Sequence, residues 1–295
     1  MVIVILGPTG VGKTRMSIEL AKKLNGEIIN VDSTQIYKNL DIATAKIKEE
    51  EKENIPHYLF DIKNIDEDYT VYDYQKDCRK VIDDILKRGK TPIMVGGTGL
   101  YIKAALYDYQ FEKEKDDNQF VELSNEEIYK KLKEIDKDVD IHINNRQRLV
   151  RALNYCLNNH KKISEKKKTD KLLYDTFFIG LTTDRNLLYE KINNRVNEMV
   201  KEGLLDEAKK IFESNIRTKA VMTPIGYKEL FPYFEGKQSL EECLEIMKRN
   251  SRKYAKRQYT WFNNQMDVTW FNVDFNNFDK TVLEVYNYLK EKSHN

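Results

Sequence analysis

Eight consecutive residues, Gly7-Pro8-Thr9-Gly10-Val11-Gly12-Lys13-Thr14, fit the pattern G-x-x-x-x-G-K-[ST]. Glycines in such a loop let backbone N–H groups close around an anion, and a following helix N-terminus adds partial positive charge. Lys13 contributes a full charge, and Thr14 a hydroxyl able to ligate Mg²⁺. The flanks are those the pattern needs. Val2-Ile3-Val4-Ile5-Leu6 is apolar and β-branched, as a buried parallel strand is. Met16, Ile18, Leu20, Ala21 and Leu24 recur at roughly helical spacing over residues 14–24. The chemistry indicated is the binding of a polyphosphate. The loop alone identifies neither the ligand nor the reaction.

Asp32 ends a second apolar run and is expected opposite this loop. A carboxylate there could take a proton from a nucleophile, which requires only hydrogen-bond reach; it could equally be a turn or N-cap aspartate. The cluster Asp32-Ser33-Thr34-Gln35-Ile36-Tyr37 supplies donors and acceptors suited to the edge of a base. Gly96-Gly97-Thr98-Gly99 closes a third apolar run, where an ATPase would carry an acid for Mg²⁺ and water. Its absence argues against a motor or a GTPase, as does the lack of an Asn-Lys-x-Asp guanine reader. Glycines at that strand end permit close backbone approach to a ligand, with the Thr98 hydroxyl as a donor to it.

Arg249, Arg252, Lys253, Lys256 and Arg257 share one face of a long helical pattern, with Tyr254, Gln258 and Trp261 on another. Such a stripe is either a solvated face or, lacking interleaved acids, a phosphate-tracking surface. Arg146, Arg148, Arg151, Lys161, Lys162, Lys166, Lys167 and Lys168 form a second basic region. Two local basic patches on a chain of net charge +2 suggest an RNA partner without identifying it.

The elements that must position these residues alternate. Strands are expected over 2–6, 27–33, 58–62, 92–97 and 176–181, with a last one over 268–273. Helices are expected over 14–24, 74–86, 126–135, 147–157, 186–201, 205–212, 240–262 and 280–289, with a short one after Thr98 running to Leu106. Alternation implies an α/β fold, a parallel sheet with helices on both faces and ligands at the C-terminal strand ends. That rule gathers the loop, Asp32 and Thr98 at one rim. Residues 107–174, opening with the charged run Glu112-Lys113-Glu114-Lys115-Asp116-Asp117, read as an inserted small helical subdomain between a core of 1–106 and its completion in 175–295. Residues 161–171 read as a charged loop, and 48–54 as a charged segment compatible with an exposed helix.

At 295 residues and 33% charged side chains, the chain can bury a full core as a globular protein. Three cysteines and four histidines are scattered, without zinc spacing, so reduced thiols and a cytoplasmic location are expected. No signal peptide and no membrane-crossing run are expected.

The residues together resemble the tRNA dimethylallyltransferases, almost end to end. The resemblance is carried by residues 7–14 and 32–37, by Asp41-Ile42-Ala43-Thr44-Ala45-Lys46 and by Pro56-His57-Tyr58-Leu59. It continues through Gly96-Gly97-Thr98-Gly99-Leu100-Tyr101, Arg148 with Arg151-Ala152-Leu153, and Arg195 with Met199, Gly203-Leu204 and Glu207. Ile225-Gly226-Tyr227-Lys228-Glu229, Tyr254-Ala255-Lys256-Arg257-Gln258 and Thr260-Trp261-Phe262 complete it. The chain departs from the family at Ile143-Asn144-Asn145, where Pro-Asn-Asp is usual, and at Lys191, where many members carry arginine.

The resemblance implies a P-loop NTPase-like fold with a helical C-terminal region. It implies transfer of a dimethylallyl group from dimethylallyl diphosphate to N6 of adenosine 37, in tRNAs reading codons that begin with U. Gly7, Pro8, Thr9, Gly10, Val11, Gly12, Lys13, Thr14 and Arg195 would hold the diphosphate, with Mg²⁺ on Thr14. Asp32 would be the base, with Thr98 beside it and Arg195 stabilising the leaving group. Asp32, Ser33, Thr34, Gln35 and Thr98, with Gln147, Arg148, Leu149, Val150 and Arg151, would contact the anticodon stem-loop. Arg249, Arg252 and Lys256 are the candidates for further phosphate contacts. A monomer is expected. Prenyl transfer to free adenine nucleotides, an ATP-dependent small-molecule kinase and a non-catalytic RNA-binding module are the other readings; the kinase leaves residues 96–101 and the basic helix without a role.

Overall fold

Strand β1 (Val2–Leu6) is buried at every position, because it lies inside a sheet covered on both faces. With β2 (Gly26–Asn30), β3 (His57–Tyr58), β4 (Thr91–Val95), β5 (Thr176–Thr182) and β6 (Thr269–Asn272) it forms one sheet of order β3-β2-β4-β1-β5-β6. Every pair is parallel, with Ile3 opposite Ile93 and Phe177 in the two flanking strands. This computed structural model describes residues 1–111, 120–165 and 171–293.

Alternation along β1 sends Val2, Val4 and Leu6 to one face and Ile3 and Ile5 to the other. On the second face, α1 (Lys13–Leu24) contributes Met16, Ile18, Leu20 and Ala21 to the core. On the first lie α2 (Val71–Lys87) and α3 (Gly99–Leu106), where Tyr74 stacks on Tyr101 at 4.0 Å between centroids. The chain divides into two compact units, Met1–Tyr107 with Leu172–Asn295, and Asp108–Lys171. The second unit packs α4 (Asn125–Ile135) on α5 (Arg146–Asn159) through Ile128, Leu132, Leu149 and Leu153. Ser124 starts α4 with a capping box to Glu127. In the first unit follow α6 (Arg185–Lys201), α7 (Leu204–Glu213), α8 (Lys219–Met222), α9 (Tyr227–Phe234), α10 (Leu240–Gln265) and α11 (Phe278–Ser293). Val282, Val285 and Leu289 of α11 close the core beside α1.

The fold is the expected α/β class, with local differences. Strand β2 stops at Asn30 rather than residue 33, because the Asn30 carboxamide takes over from the ladder. Its Nδ2 donates to Asp32 O and Leu59 O, and its Oδ1 accepts from Asp32 N. Strand β3 is two residues long, because Leu59 and Asp61 adopt positive φ of 63° and 54°. Residues Glu49–Lys52 form one 3₁₀ turn. Helices α8 and α9 add to the expected elements; α9 contains Pro232, which reads in sequence as a helix breaker. The charged run at 112–117 and Lys166, Lys167 and Lys168 lie outside the described residues.

Candidate active site

The C-terminal ends of β1, β2 and β4 open into a cleft of about 1130 Å³, where parallel sheets bind ligands. Thr9, Gly10, Gly12, Lys13 and Thr14 line it from the β1 loop, Asp32, Ser33, Thr34 and Gln35 from β2, and Gly96 and Gly97 from β4. Arg195 enters from α6, and Tyr254, Arg257 and Gln258 from α10.

The β1 loop turns into α1 through Gly12, whose φ of 93° is a left-handed conformation that glycine adopts without strain. Val11 sends its side chain into the core, so only its backbone is left for the cleft. Lys13 folds back over the loop, donating to Gly7 O at 3.0 Å and Pro8 O at 2.8 Å. Protein crowds the Lys13 ammonium at the cleft floor; this burial, and secondly the charge of Arg195, bring its pKa down to about 7, while Asp32 opposes the shift. Burial likewise lowers the Arg195 pKa, against the pull of Asp32. Neither cation forms an ion pair with a carboxylate among the described residues. Two facing cations without a counter-ion are a site for a polyanion. The Thr14 hydroxyl lines the same cleft. Among the described residues no cluster of three acids, histidines or cysteines could hold a metal. That donor set fits Mg²⁺ held chiefly by phosphate oxygens and water, with one protein hydroxyl.

Asp32 sits in the turn that Asn30 fixes. Its Oδ1 accepts from Thr34 N at 2.9 Å and Thr34 Oγ1 at 2.7 Å, which orients the carboxylate and leaves Oδ2 without a partner among the described residues. Thr98 meets this turn from β4, its Oγ1 accepting from Ser33 N at 3.1 Å and donating to Ser33 Oγ at 3.4 Å. The two strand ends touch backbone to backbone, with Thr98 N donating to Val31 O at 3.1 Å. Gln35 is engaged with the next loop, its Nε2 donating to Thr44 O and Ala45 O. That loop is held by Glu207, which accepts from the backbone N–H groups of Asp41, Ile42 and Ala43 and from the Tyr227 hydroxyl.

Helix α10 contributes more than its basic stripe. The Gln258 Oε1 accepts from Thr9 N at 3.3 Å, and its Nε2 donates to Gly97 O at 3.2 Å. The Tyr254 hydroxyl lies beside Thr98 and Gln258, and burial raises its pKa, so it stays protonated. Sequence placed Tyr254, Gln258 and Trp261 on one helix face but assigned them no role; the signal available was that an amide and a phenol on a core-facing stripe need partners.

Several expected contacts need correction. Leu149 and Val150 are 0% and 9% exposed in the core of the second unit, so their side chains cannot reach RNA. A helix turns about 100° per residue, so five consecutive positions cannot share a surface. Gln147, Arg148 and Arg151 are exposed on that unit. Arg146 is a strut instead, donating to Phe120 O and Leu123 O. Of the α10 stripe, Arg249 and Lys256 are exposed, whereas Arg252 turns to α6 and donates to Asn193 Oδ1 at 2.6 Å.

A glycine loop at the end of a parallel strand, with Lys13 and Arg195 in one cleft and an oriented carboxylate lining it, is the arrangement of a site for a phosphorylated ligand. Residues 35–265 match the family model described as IPP transferase. The chain is 48% identical over 302 residues to the tRNA dimethylallyltransferase of Anoxybacillus flavithermus, covering 99% of this chain and 97% of that one. It is similar to the crystal structure of a tRNA isopentenylpyrophosphate transferase from Staphylococcus epidermidis, at 42% identity and TM-score 0.75, with 99% of each chain covered. A eukaryotic dimethylallyltransferase acting on tRNA matches at 34% identity and TM-score 0.77, over 91% of this chain and 73% of that one. The chain belongs to the tRNA dimethylallyltransferase family and is a prenyl transferase. Among the described residues no helix is long and apolar enough to cross a membrane.

Proposed function

We propose that this chain transfers the dimethylallyl group of dimethylallyl diphosphate to N6 of adenosine 37, in cytoplasmic tRNAs reading codons that begin with U, acting as a monomer. The observation carrying this reading is the placement of Lys13 and Arg195 together in the P-loop cleft, neither paired with a carboxylate among the described residues, with the oriented Asp32 lining the same cleft. N6 attacks the allylic C1 of the donor, the C–O bond breaks, and its electron pair leaves on diphosphate. The N6 proton goes to Asp32, whose Oδ2 is the oxygen that Thr34 does not occupy. Lys13, Arg195 and the loop amides stabilise the charge growing on the leaving oxygens. Each charge-assisted hydrogen bond contributes about 1.5–3 kcal/mol, and such preorganised donors are usually the largest part of catalysis. Thr14 would hold Mg²⁺, which supplies further neutralisation of the diphosphate when bound.

The adenine must leave its stack to reach a cleft between strand ends, as in base-flipping enzymes. Asp32, Ser33 and Thr98 then face its edge. Gln147, Arg148 and Arg151 of the second unit, and Arg249 and Lys256 on α10, are assigned to the RNA backbone. The test is incubation with Mg²⁺ and labelled dimethylallyl diphosphate, with an anticodon stem-loop carrying A36-A37-A38 in one tube and AMP in another. Label at A37 supports the reading; label in AMP alone would assign the chain to free-nucleotide prenylation.

A further inference from the structure

Gln258 is 5% exposed and lies between two loops that serve opposite partners of the reaction. The last backbone bond between β4 and β1 is Gly96 N to Ile5 O at 3.2 Å. Past that point, no backbone bond joins residues 7–12 to residues 97–99 among the described residues. The Gln258 carboxamide joins them, accepting from Thr9 N and donating to Gly97 O. Its orientation follows from its partners, since the flipped amide would set N–H against N–H and oxygen against oxygen. A Cβ on residue 97 would stand 2.0 Å from Gln258 Nε2, so glycine is what lets the amide reach the strand end. Trp261, one turn further along α10, packs over Gly99 in the same way.

We propose that Gln258 is a positioning residue that sets the spacing between the diphosphate on the β1 loop and the adenine at the β4 rim; this rests on the functional reading above. Displacement requires N6, C1 and the leaving oxygen in line, with the reacting atoms about 3–3.5 Å apart, and a misplacement of about 1 Å lowers the rate about 10²-fold. The two loops are carried by different strands, and the bridge between them determines that distance. Gln258 also turns the Thr9 N–H inward, so this amide organises the loop instead of meeting the anion.

Gln258→Glu tests the bridge. A carboxylate still accepts from Thr9 N–H but cannot donate to Gly97 O, whereas the protonated acid can. Burial moves a carboxyl group's pKa upward, toward neutral pH. At pH 8, single-turnover transfer to the A37 stem-loop at saturating substrates is expected to fall at least about tenfold in Q258E, with the Kd for inorganic pyrophosphate within about threefold of wild type. The Q258E-to-wild-type ratio is expected to rise at least about fivefold as pH is lowered to 6, as the donor returns. Taking the ratio removes the titration of Lys13 on the β1 loop; Asp32 on the rim, Arg195, Tyr254 and Arg257 also face this cleft. Gln258→Met, of similar shape and without either bond, is expected to be as slow at pH 8 and to show no rise. An unchanged rate, a flat Q258E ratio, or losses that merely track falling Tm and pyrophosphate affinity would overturn the proposal. Failure of wild type itself to modify A37 would overturn the functional reading, and the positioning role with it.

Discussion

In the proposed function Lys13 serves the diphosphate and Asp32 the accepting amine, and the two roles are separable by measurement. Asp32→Asn keeps the Thr34 bonds to one oxygen but removes the proton acceptor. Turnover is expected to fall about 10²–10⁴-fold while pyrophosphate binding, measured by calorimetry, stays within about threefold. Equal losses in both would remove Asp32 as the base. For Lys13 the sign follows from its lowered pKa of about 7. Between pH 7 and its ordinary value of 10.5, the folded protein binds fewer protons than the unfolded chain, so its stability rises with pH across that window. A bound anion restores the ammonium. Pyrophosphate binding at pH 8.5 should therefore take up close to one more proton in wild type than in Lys13→Arg, whose guanidinium stays charged. The comparison, read from calorimetry in buffers of differing ionisation enthalpy, cancels the ligand's own proton change. Equal proton uptake by the two would contradict the cationic floor. That Lys13 and Asp32 would line one cleft was legible because each stands in a contiguous motif at a strand end. The bridging role of Gln258 was not, because its partners are 249 and 161 residues away and meet it only through the packing of α10.

Among the elements, β2 is pinned at both ends. At the cleft end, Asn30 shapes the Asp32 turn; at the other, Glu27 is 1% exposed and accepts from Arg88 and Lys90, each at 2.6 Å, and from the Tyr58 hydroxyl at 2.8 Å. The Arg88 hydrogen bonds, helped by Lys90 and Tyr58, outweigh burial and bring the Glu27 pKa down to about 2. A depressed carboxyl stabilises the fold above its unfolded value of about 4.5, and that contribution disappears as pH falls toward 2. Glu27→Ala removes the shared partner of Arg88 and Lys90, which are about one-third exposed, while Arg88 keeps Asp84; it should cost about 1–3 kcal/mol, with the urea midpoint losing part of its fall between pH 4.5 and 2. A midpoint unchanged at pH 7 would show the network to be ornamental. Periodicity revealed the strands and long helices of this framework, because their buried faces repeat. It failed at α9, where Pro232 masks the helix, and at the end of β2, where one buried amide outcompetes the ladder. It also failed for Leu149 and Val150, where a motif borrowed as five consecutive residues hid which positions of α5 face inward.

At the scale of the molecule, a net charge of +2 gives no general attraction to RNA, so tRNA binding must come from local cations. Arg148 on the second unit and Lys256 on α10 are exposed and available. Reversing either charge should weaken stem-loop binding and flatten the log–log salt dependence by about 0.9 for each phosphate no longer neutralised. An unchanged slope would return that residue to the solvated surface. Arg252→Ala is expected to act differently, loosening α10 against α6 through loss of the Asn193 bond rather than changing the slope.

The measurement that bears most directly on the proposed chemistry is single-turnover transfer from labelled dimethylallyl diphosphate to an A36-A37-A38 stem-loop, comparing wild type with Asp32→Asn and Lys13→Ala. The expected result is label on N6 of A37 in wild type, a slow rate at saturating donor for Asp32→Asn, and weakened donor binding for Lys13→Ala. Full-rate transfer by both variants would contradict the assignment of base and diphosphate site to this cleft.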